Sequence, residues 1–369
     1  MEKRLSFADM LKGVAILGVV FYHLIAPGAF KTLWTHTGDA LMIMFFFISG
    51  YFHKSGKRPF GEDVKRRCKA MMVPFFKYSL LFWAIGTIQQ LIAKTETFLD
   101  AVCCLRNFYA GCIWNRVIQN WFSWDYHSLG KRYPFLADFW FLIAMMLASI
   151  LFYLIVDRLI KSRFRTALGF LGLLFTTALL CLLHVDLPYN IHMVPFWTAF
   201  MLLGAFAGSR SLFENPPIPM KARWISSVVC LAGGIALSLI KDPLTNLFRG
   251  SFQGDPLDDI SMCIVTALLL IWGLGEFFVL IEQAGVRTKE LSWVGSHSMV
   301  FYIYHMFFAW IFCVITGFST SYKEPITAGT VWMSILLTAF SLTFCFLRIV
   351  LGEYLAERKA AAAATAPVK

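Results

Sequence analysis

An uninterrupted apolar run without a charged side chain, WFLIAMMLASILFYLIV, occupies residues 140–156. A helix needs about 20 mostly apolar residues to cross the hydrocarbon of a bilayer, and the residues before this run extend it to 135–156. Only 15% of the 369 residues are charged and 58% are hydrophobic. Soluble domains have about 25% charged residues. The composition therefore excludes a soluble enzyme and a disordered chain, and it predicts a protein that crosses a membrane several times.

The same criterion, applied outward from this run, predicts ten membrane-spanning helices. They are expected near residues 7–27, 38–53, 71–93, 135–156, 166–184, 191–208, 224–240, 259–281, 296–317 and 328–351. We therefore predict an all-α membrane protein, a polytopic bundle of about ten transmembrane helices. Residues 1–358 are expected to form one integral-membrane domain, and residues 359–369 a disordered tail because of their low complexity.

The distribution of Lys and Arg predicts the orientation of the bundle. With the N-terminus in the cytoplasm, the inner segments carry more than twice as many Lys and Arg as the outer segments. This bias favours cytoplasmic N- and C-termini, and it explains the net charge of +11 without a nucleic-acid partner. Asp9 and Lys12 interrupt the first apolar run, which is read as a retained helix rather than a cleaved signal peptide. A multi-pass protein of the cell (inner) membrane is expected.

Ionisable residues within a span are costly and are candidates for function. In the first span, Asp9, Lys12 and His23 fall within an arc of about 60° on one helix face. Two simpler interpretations stay open: Asp9 and Lys12 form a local pair near the membrane surface, and His23 is a buried, hydrogen-bonded side chain. Lys77 and Arg348 also lie inside predicted spans.

Three further positions carry polar groups of interest. His305 is predicted to lie near the middle of the ninth span, where a neutral imidazole needs a partner or a water-lined cavity. Ser49 precedes Gly50, a pair that is also explained by close helix packing. The most basic loop contains Arg66, Arg67 and Lys69. These residues either determine topology or bind an anion from the cytoplasm.

Five stretches occur in the order that is typical of the integral-membrane acyltransferase 3 family. They are Asp9-Met10-Leu11-Lys12-Gly13 followed by His23, Phe45-Phe46-Phe47-Ile48-Ser49-Gly50, Arg66-Arg67-Cys68-Lys69 before Pro74, Trp140-Phe141-Leu142, and Gly295-x-x-Ser298 followed by Tyr304-His305. The chain resembles that family, and in particular its sugar O-acetylase branch with fucose O-acetylase-like proteins. Lys12 and Lys69 stand where the family more often has Arg.

The resemblance implies transfer of an acetyl group from acetyl-CoA, a substrate rather than a tightly bound cofactor, to a sugar hydroxyl. His23 is then the expected general base, and His305 supports it or replaces it. Lys12 is expected to stabilise anionic groups while Asp9 orients it. The predicted donor-binding residues are Arg66, Arg67 and Lys69. Direct transfer and an acyl-histidine intermediate both stay open.

The acceptor, a polysaccharide or a lipid-linked sugar, is expected to meet the aromatic-rich outer loop 94–134. Trp121 and Trp124 in this loop, together with Trp140 and Ser49, are the predicted substrate-binding residues. An interfacial aromatic belt explains the same loop residues equally well. The expected partners are therefore acetyl-CoA, a carbohydrate acceptor and membrane lipids.

Two other classes of function remain open at this level. A transporter or exporter of a lipid-linked sugar or small solute would also place His and Lys inside the membrane. A structural subunit of an envelope assembly would need these residues only for folding. No Cys/His spacing fits a zinc site, so no metal is expected.

Overall fold

The computed structural model describes residues 6–364 apart from 25–28, 55, 57–58, 111–132, 138, 184, 186, 217, 241–255, 287 and 319–326. The described residues form helices and connecting segments, with no β-strand among them. The predicted all-α class is therefore confirmed.

Twelve α-helices make up the described bundle, together with a single helical turn at Pro134–Ala137 and a 3₁₀ segment at Pro188–Met193. They are α1 (Ser6–Leu24), α2 (Ala29–Tyr51), α3 (Phe60–Ile92), α4 (Phe98–Tyr109), α5 (Trp140–Leu159), α6 (Arg163–Leu182), α7 (Val194–Ser209), α8 (Met220–Ile240), α9 (Pro256–Gln283), α10 (Lys289–Ser296), α11 (Ser298–Thr316) and α12 (Ala328–Ala364).

Nine of the helical segments in the described part of the chain are long and apolar enough to cross a membrane. The second predicted span, 38–53, differs from the other nine. It falls in α2, a helix of 23 residues that begins at Ala29, and its apolar part is Ala40–Tyr51. The chain is thus a multi-pass membrane protein by the length and composition of its helices.

Helices α1, α2 and α7 form the centre of the bundle, and glycines let their backbones approach. A Cβ at Gly50 of α2 would collide with the carbonyl of Met201 in α7. A Cβ at Gly295 of α10 would collide with the carbonyl of Asp9 in α1. Small residues at such contacts are the usual means of close helix packing in membranes. The packing interpretation of Gly50 is therefore confirmed.

Two segments carry more helix than the sequence suggested. The predicted outer loop 94–134 contains α4, which begins with a capping box in which the side chains of Thr97 and Asp100 each accept from the other residue's backbone N–H. Helix α12 continues to Ala364, into the tail 359–369 that was predicted to be disordered. Alanine has the highest helix propensity of all residues, which favours this continuation.

A buried ion pair joins α8 to α9. Arg223 donates from Nε to Glu276 Oε2 at 2.6 Å and from Nη2 to the carbonyl of Phe213 at 2.8 Å. Both side chains are buried. Arg223 precedes the predicted span 224–240 by one residue, and it lies in the first turn of α8, one of the apolar helices.

Candidate active site

A cavity of about 540 Å³ lies at the end of the bundle where α1 and α3 begin, which the distribution of Lys and Arg predicts to be cytoplasmic. We call it the basic cavity. Its walls come from α1, α2, α3, α5, α10 and α11 and from the segment after α2. The lining residues are Lys12, Phe45, Ile48, Ser49, Phe52, His53, Lys54, Asp63, Arg66, Arg67, Met71, Phe141, Met145, Tyr153, Gly295, Ser296, Ser298 and Met299.

The charges of the lining are mostly positive. The lining contains four cations and one carboxylate, that of Asp63. The cations are Lys12, Lys54, Arg66 and Arg67. A concave surface with an excess of one charge concentrates ligands of the opposite charge, and clustered Arg and Lys are typical of phosphate recognition. The basic cavity is therefore suited to a ligand with several negative charges.

The three predicted donor-binding residues on α3 do not share one environment. Arg67 is half-buried and donates from Nη2 to Ser49 Oγ, which connects α3 to the end of α2. Arg66 is more exposed, with Nη2 lying 3.8 Å from Asp63 Oδ1. Lys69 is exposed and is not part of the cavity lining. It is two residues from Arg67, a rotation of about 200°, which directs it away from the cavity.

The first helix supplies one cation to the cavity through a local pair. Lys12 Nζ lies 3.1 Å from Asp9 Oδ1, and the Asp9 side chain is only 5% exposed. Lys12 Nζ also lies 5.6 Å from the centroid of the Phe52 ring. The i,i+3 pair and the approach of Lys12 to a ligand site are therefore compatible, because the buried carboxylate orients the ammonium group along the cavity wall.

The two histidines singled out in the sequence lie together inside the helical bundle. The ring centroids of His23 in α1 and His305 in α11 are 5.4 Å apart. His305 is fully buried, and its Nδ1 lies 2.9 Å from the carbonyl oxygens of Phe301 and Tyr302. Since a carbonyl can only accept, Nδ1 must carry the proton, and Nε2 is the basic atom of the neutral ring.

The histidine pair does not line the basic cavity. Along α1, about 16 Å separate Lys12 from His23, and the buried side chains of Ile16 and Val19 lie on the same helix face between them. The polar face expected from the sequence is therefore interrupted by apolar residues. A connection runs through Phe141, which lines the cavity and whose ring centroid lies 5.3 Å from that of Tyr302, one turn before His305.

One family profile matches residues 5–349, nearly the whole chain, and its description is an acyltransferase domain, Acyl_transf_3. The chain belongs to the acyltransferase 3 family. No curated protein and no solved structure matches it. The family establishes that this membrane protein is an acyltransferase, which requires an acyl donor and an acyl acceptor.

The predicted substrate-binding residues of this acyltransferase have different surroundings. Ser49 lines the basic cavity and accepts from Arg67, so it lies beside the predicted donor-binding residues. Trp140 is half-buried beside Trp197, with ring centroids 5.7 Å apart, and is not part of the cavity lining. Trp121 and Trp124 lie outside the described residues.

At the predicted outer face of the acyltransferase, two tyrosines of the loop 94–134 make structural contacts. Tyr133 is fully buried, donates to Glu96 Oε2 at 2.9 Å and shares a 3.1 Å hydrogen bond with Thr87. Burial, reinforced by Glu96, raises the pKa of the Tyr133 hydroxyl, which keeps it neutral. Tyr109 is half-buried and shares a 2.8 Å hydrogen bond with Ser79. These two rings of the predicted acceptor loop therefore pack against α3 instead of presenting a face to a sugar.

Sequence analysis missed one histidine of the acyltransferase cavity. His53 lines the cavity, its side chain is 8% exposed, and its Nε2 lies 3.3 Å from Asp157 Oδ1 at the end of α5. The ring also packs edge-on against Phe152, with centroids 5.1 Å apart. The available signal was spacing: His53 follows Ser49 by about one helical turn and stands two residues after Tyr51, where α2 ends.

Proposed function

We propose that this acyltransferase moves an acetyl group from cytoplasmic acetyl-CoA to a hydroxyl of an envelope or extracellular polysaccharide sugar. The observation that carries the proposal is a cationic cavity at the basic end of a bundle whose interior holds the pair His23 and His305. Membership of the sugar O-acetylase branch and a location in the cell membrane are parts of the same proposal.

The basic cavity is the donor site in this proposal. Coenzyme A carries several phosphate charges, and Arg66, Arg67, Lys12 and Lys54 supply cations for them. The deeper wall is apolar, with Phe45, Phe141 and Met145, and it suits the uncharged pantetheine arm and the thioester. Lys69 has no part in this arrangement because it is exposed outside the cavity.

The chemistry assigned to the histidines is acid–base catalysis. A neutral His23 imidazole accepts the proton of the acceptor hydroxyl while the oxygen attacks the thioester carbonyl carbon. The carbon–sulfur bond then breaks, and the leaving CoA sulfur takes the proton from the imidazolium. His305 lies against His23 and fixes the position of its ring. The basic cavity and the histidine pair are separated by Phe141 and Tyr302. The transfer therefore requires that the thioester pass these two rings toward His23, or that the acceptor hydroxyl pass them toward the thioester.

The test uses the purified full chain in proteoliposomes with radiolabelled acetyl-CoA and a polysaccharide or lipid-linked sugar acceptor. Release of CoA and labelled acetyl sugar are both measured, for the native chain and for His23→Gln. A loss of both by about 100-fold or more is expected, since general-base catalysis contributes typically 10²–10⁴-fold. His297→Gln is the matched control. His297 Nε2 lies 3.1 Å from Glu353 Oε1, and the residue is not part of the histidine pair.

Two results would contradict this proposal. Sugar movement across the vesicle membrane without release of CoA would favour an exporter. Unchanged acetyl transfer by His23→Gln would reject His23 as the base. In cells, mass spectrometry of the envelope polysaccharide should show loss of O-acetyl groups in the His23→Gln strain at normal protein level.

A further inference from the structure

Two cations of the spans are not used by the proposed reaction. Lys77 lies in α3 about 22 Å from its outer end at Ile92, and Arg348 lies in α12 about 30 Å from Ala328, at 1.5 Å per residue. In the predicted orientation, both side chains fall in the inner half of a hydrocarbon layer of about 30 Å. Both residues are therefore near the level of the inner-leaflet phosphates.

Tyrosines bring the two cations into one cluster between α3, α11 and α12. Arg348 donates from Nε to the Tyr304 hydroxyl at 3.4 Å, and its Cζ lies 5.6 Å from the centroid of that ring. The Tyr304 ring contacts Tyr78 of α3 edge-on, with centroids 5.3 Å apart. Lys77 Nζ lies 5.0 Å from the centroid of Tyr78. The cluster thus joins two cations through two phenol rings.

No carboxylate of the described chain neutralises these cations. The ion pairs among the described residues involve other side chains, and neither Lys77 nor Arg348 has one. A cation inside a membrane costs free energy unless it is paired or reaches the polar interface. Among the described residues, Lys77 and Arg348 therefore lack a carboxylate partner such as Glu276, which pairs with Arg223 in the same bundle.

The surroundings of the cluster are apolar and exposed. Phe76 and Leu80 flank Lys77 on α3, and Leu347 and Leu351 flank Arg348 on α12; all four are exposed hydrophobic side chains. On a membrane-spanning helix such a surface faces lipid acyl chains. A basic site between helices, bordered by apolar surface, is typical of recognition of anionic lipid headgroups.

We infer that Lys77, Arg348 and the hydroxyl of Tyr304 form a binding site for the phosphate of an anionic phospholipid of the inner leaflet. The phosphodiester lies between the two cations, and the acyl chains lie along the exposed faces of α3 and α12. A net anionic lipid is favoured over a zwitterionic one, because the latter brings its own cation to a site that already holds two.

The site connects to the helix that carries His305. Tyr304 precedes His305, and Ser341 of α12 donates to the His305 carbonyl at 2.7 Å. Arg348 and Ser341 of α12 therefore both contact the part of α11 that carries His305. The binding inference itself does not depend on the acceptor or the donor proposed above, so a failure of either leaves the other testable.

Native mass spectrometry of the detergent-purified full chain tests this inference. The protein is titrated with dioleoylphosphatidylglycerol and, separately, with dioleoylphosphatidylcholine. We expect phosphatidylglycerol to bind at lower concentration, and Lys77→Gln with Arg348→Gln to weaken its binding about tenfold, to the level of phosphatidylcholine. Lys77→Gln alone changes an exposed residue and should show part of the loss without an effect on folding.

The matched control is Arg358→Gln. Arg358 stands on the same helix, with Cζ 5.7 Å from the centroid of Tyr354, the same kind of contact as Arg348 makes with Tyr304. Its loss should leave binding unchanged, and the charge-conserving pair Lys77→Arg and Arg348→Lys should retain it. Equal binding of the two lipids to the native chain, or an equal loss with Arg358→Gln, would overturn the inference.

Discussion

The imidazole rings of His23 and His305 lie 5.4 Å apart between centroids, tilted by 44°, although they belong to the first and the penultimate helices of the described bundle. Nine described helices, α2 to α10, separate the two along the chain, and the contact exists because α1 packs against both α10 and α11. Two titratable rings in contact inside the bundle are the basis of the proposed general-base role of His23.

The contact predicts that His305 acts by positioning His23. His305→Gln should lower kcat by about 100-fold with little change in KM for acetyl-CoA, since the proposed donor site is the basic cavity, which His305 does not line. The kcat/KM profile against pH should also change on its acid side, where a general base becomes protonated. Acetyl transfer measured from pH 5 to 9 checks this. A native pH profile and kcat in the variant would show that His305 only packs.

A substitution at Ser341 of α12 should have a milder effect on the position of His305 in α11. Ser341→Ala removes the hydroxyl that donates to the His305 carbonyl at 2.7 Å. A typical hydrogen bond contributes about 1 kcal/mol, so we expect kcat to fall by at most about tenfold. Single-turnover acetyl transfer is the measurement. A loss as large as that of His305→Gln would mean that the backbone hydrogen bond, and not the imidazole, is the essential element.

Arg67 should control donor affinity. Its hydrogen bond to Ser49 holds the guanidinium on the cavity wall, and Arg67→Gln should raise KM for acetyl-CoA about 10-fold or more with a smaller effect on kcat. Lys65→Gln is the control on the same helix, because Lys65 is exposed and outside the cavity lining. Equal effects of the two variants would indicate general electrostatics rather than a phosphate site.

The Asp9–Lys12 pair should depend on charge rather than on residue type. Lys12→Arg keeps the cation and is expected to retain activity within about threefold, whereas Lys12→Met should lose most of it. Asp9→Asn leaves Lys12 without its carboxylate at 3.1 Å and should raise KM for the donor. Steady-state acetyl transfer with each variant checks the order. Normal activity of Lys12→Met would exclude a role for this cation.

Gly295 should be intolerant of a side chain because α10 contacts the backbone of α1 there. Gly295→Ala would place a methyl group against the Asp9 carbonyl, and overpacking of this kind costs about 1–3 kcal/mol. Thermal unfolding in detergent should show a lower Tm. Gly172→Ala is the matched control, since a Cβ there has open space around it. An unchanged Tm for Gly295→Ala would mean that α10 shifts easily.

Much of the fold was accessible from the chain alone. Runs such as 140–156 predict membrane spans because hydrocarbon excludes charge, and nine of the helices in the described residues have the required length and hydropathy. The second span was harder to place, since α2 begins at Ala29 and only Ala40–Tyr51 forms its apolar part in the described residues. Helix α4 was missed because the loop was judged by its aromatic composition, and the capping box of Thr97 and Asp100 that begins this helix was not considered.

The candidate site was accessible only in part. The Asp9–Lys12 pair is local, and three residues along a helix suffice to predict it. His53 was missed because its partner Asp157 and its neighbour Phe152 come from α5, far along the chain. Lys69 was included because it belongs to the same basic stretch as Arg67, although two residues along a helix, a rotation of about 200°, already direct it away from Arg67.

Hydropathy, charge bias and helical periodicity act over a few turns of one helix, and they were enough to establish an all-α membrane protein with a charged first span. The pairing of His23 with His305 and the convergence of Lys12, His53 and Arg67 on one cavity depend on which helices are neighbours. That choice is made by contacts between distant segments, such as Gly295 against Asp9, whose energies depend on backbone shape in three dimensions. Such contacts leave no periodic signal along the chain. Which helices become neighbours is therefore determined only by the tertiary packing.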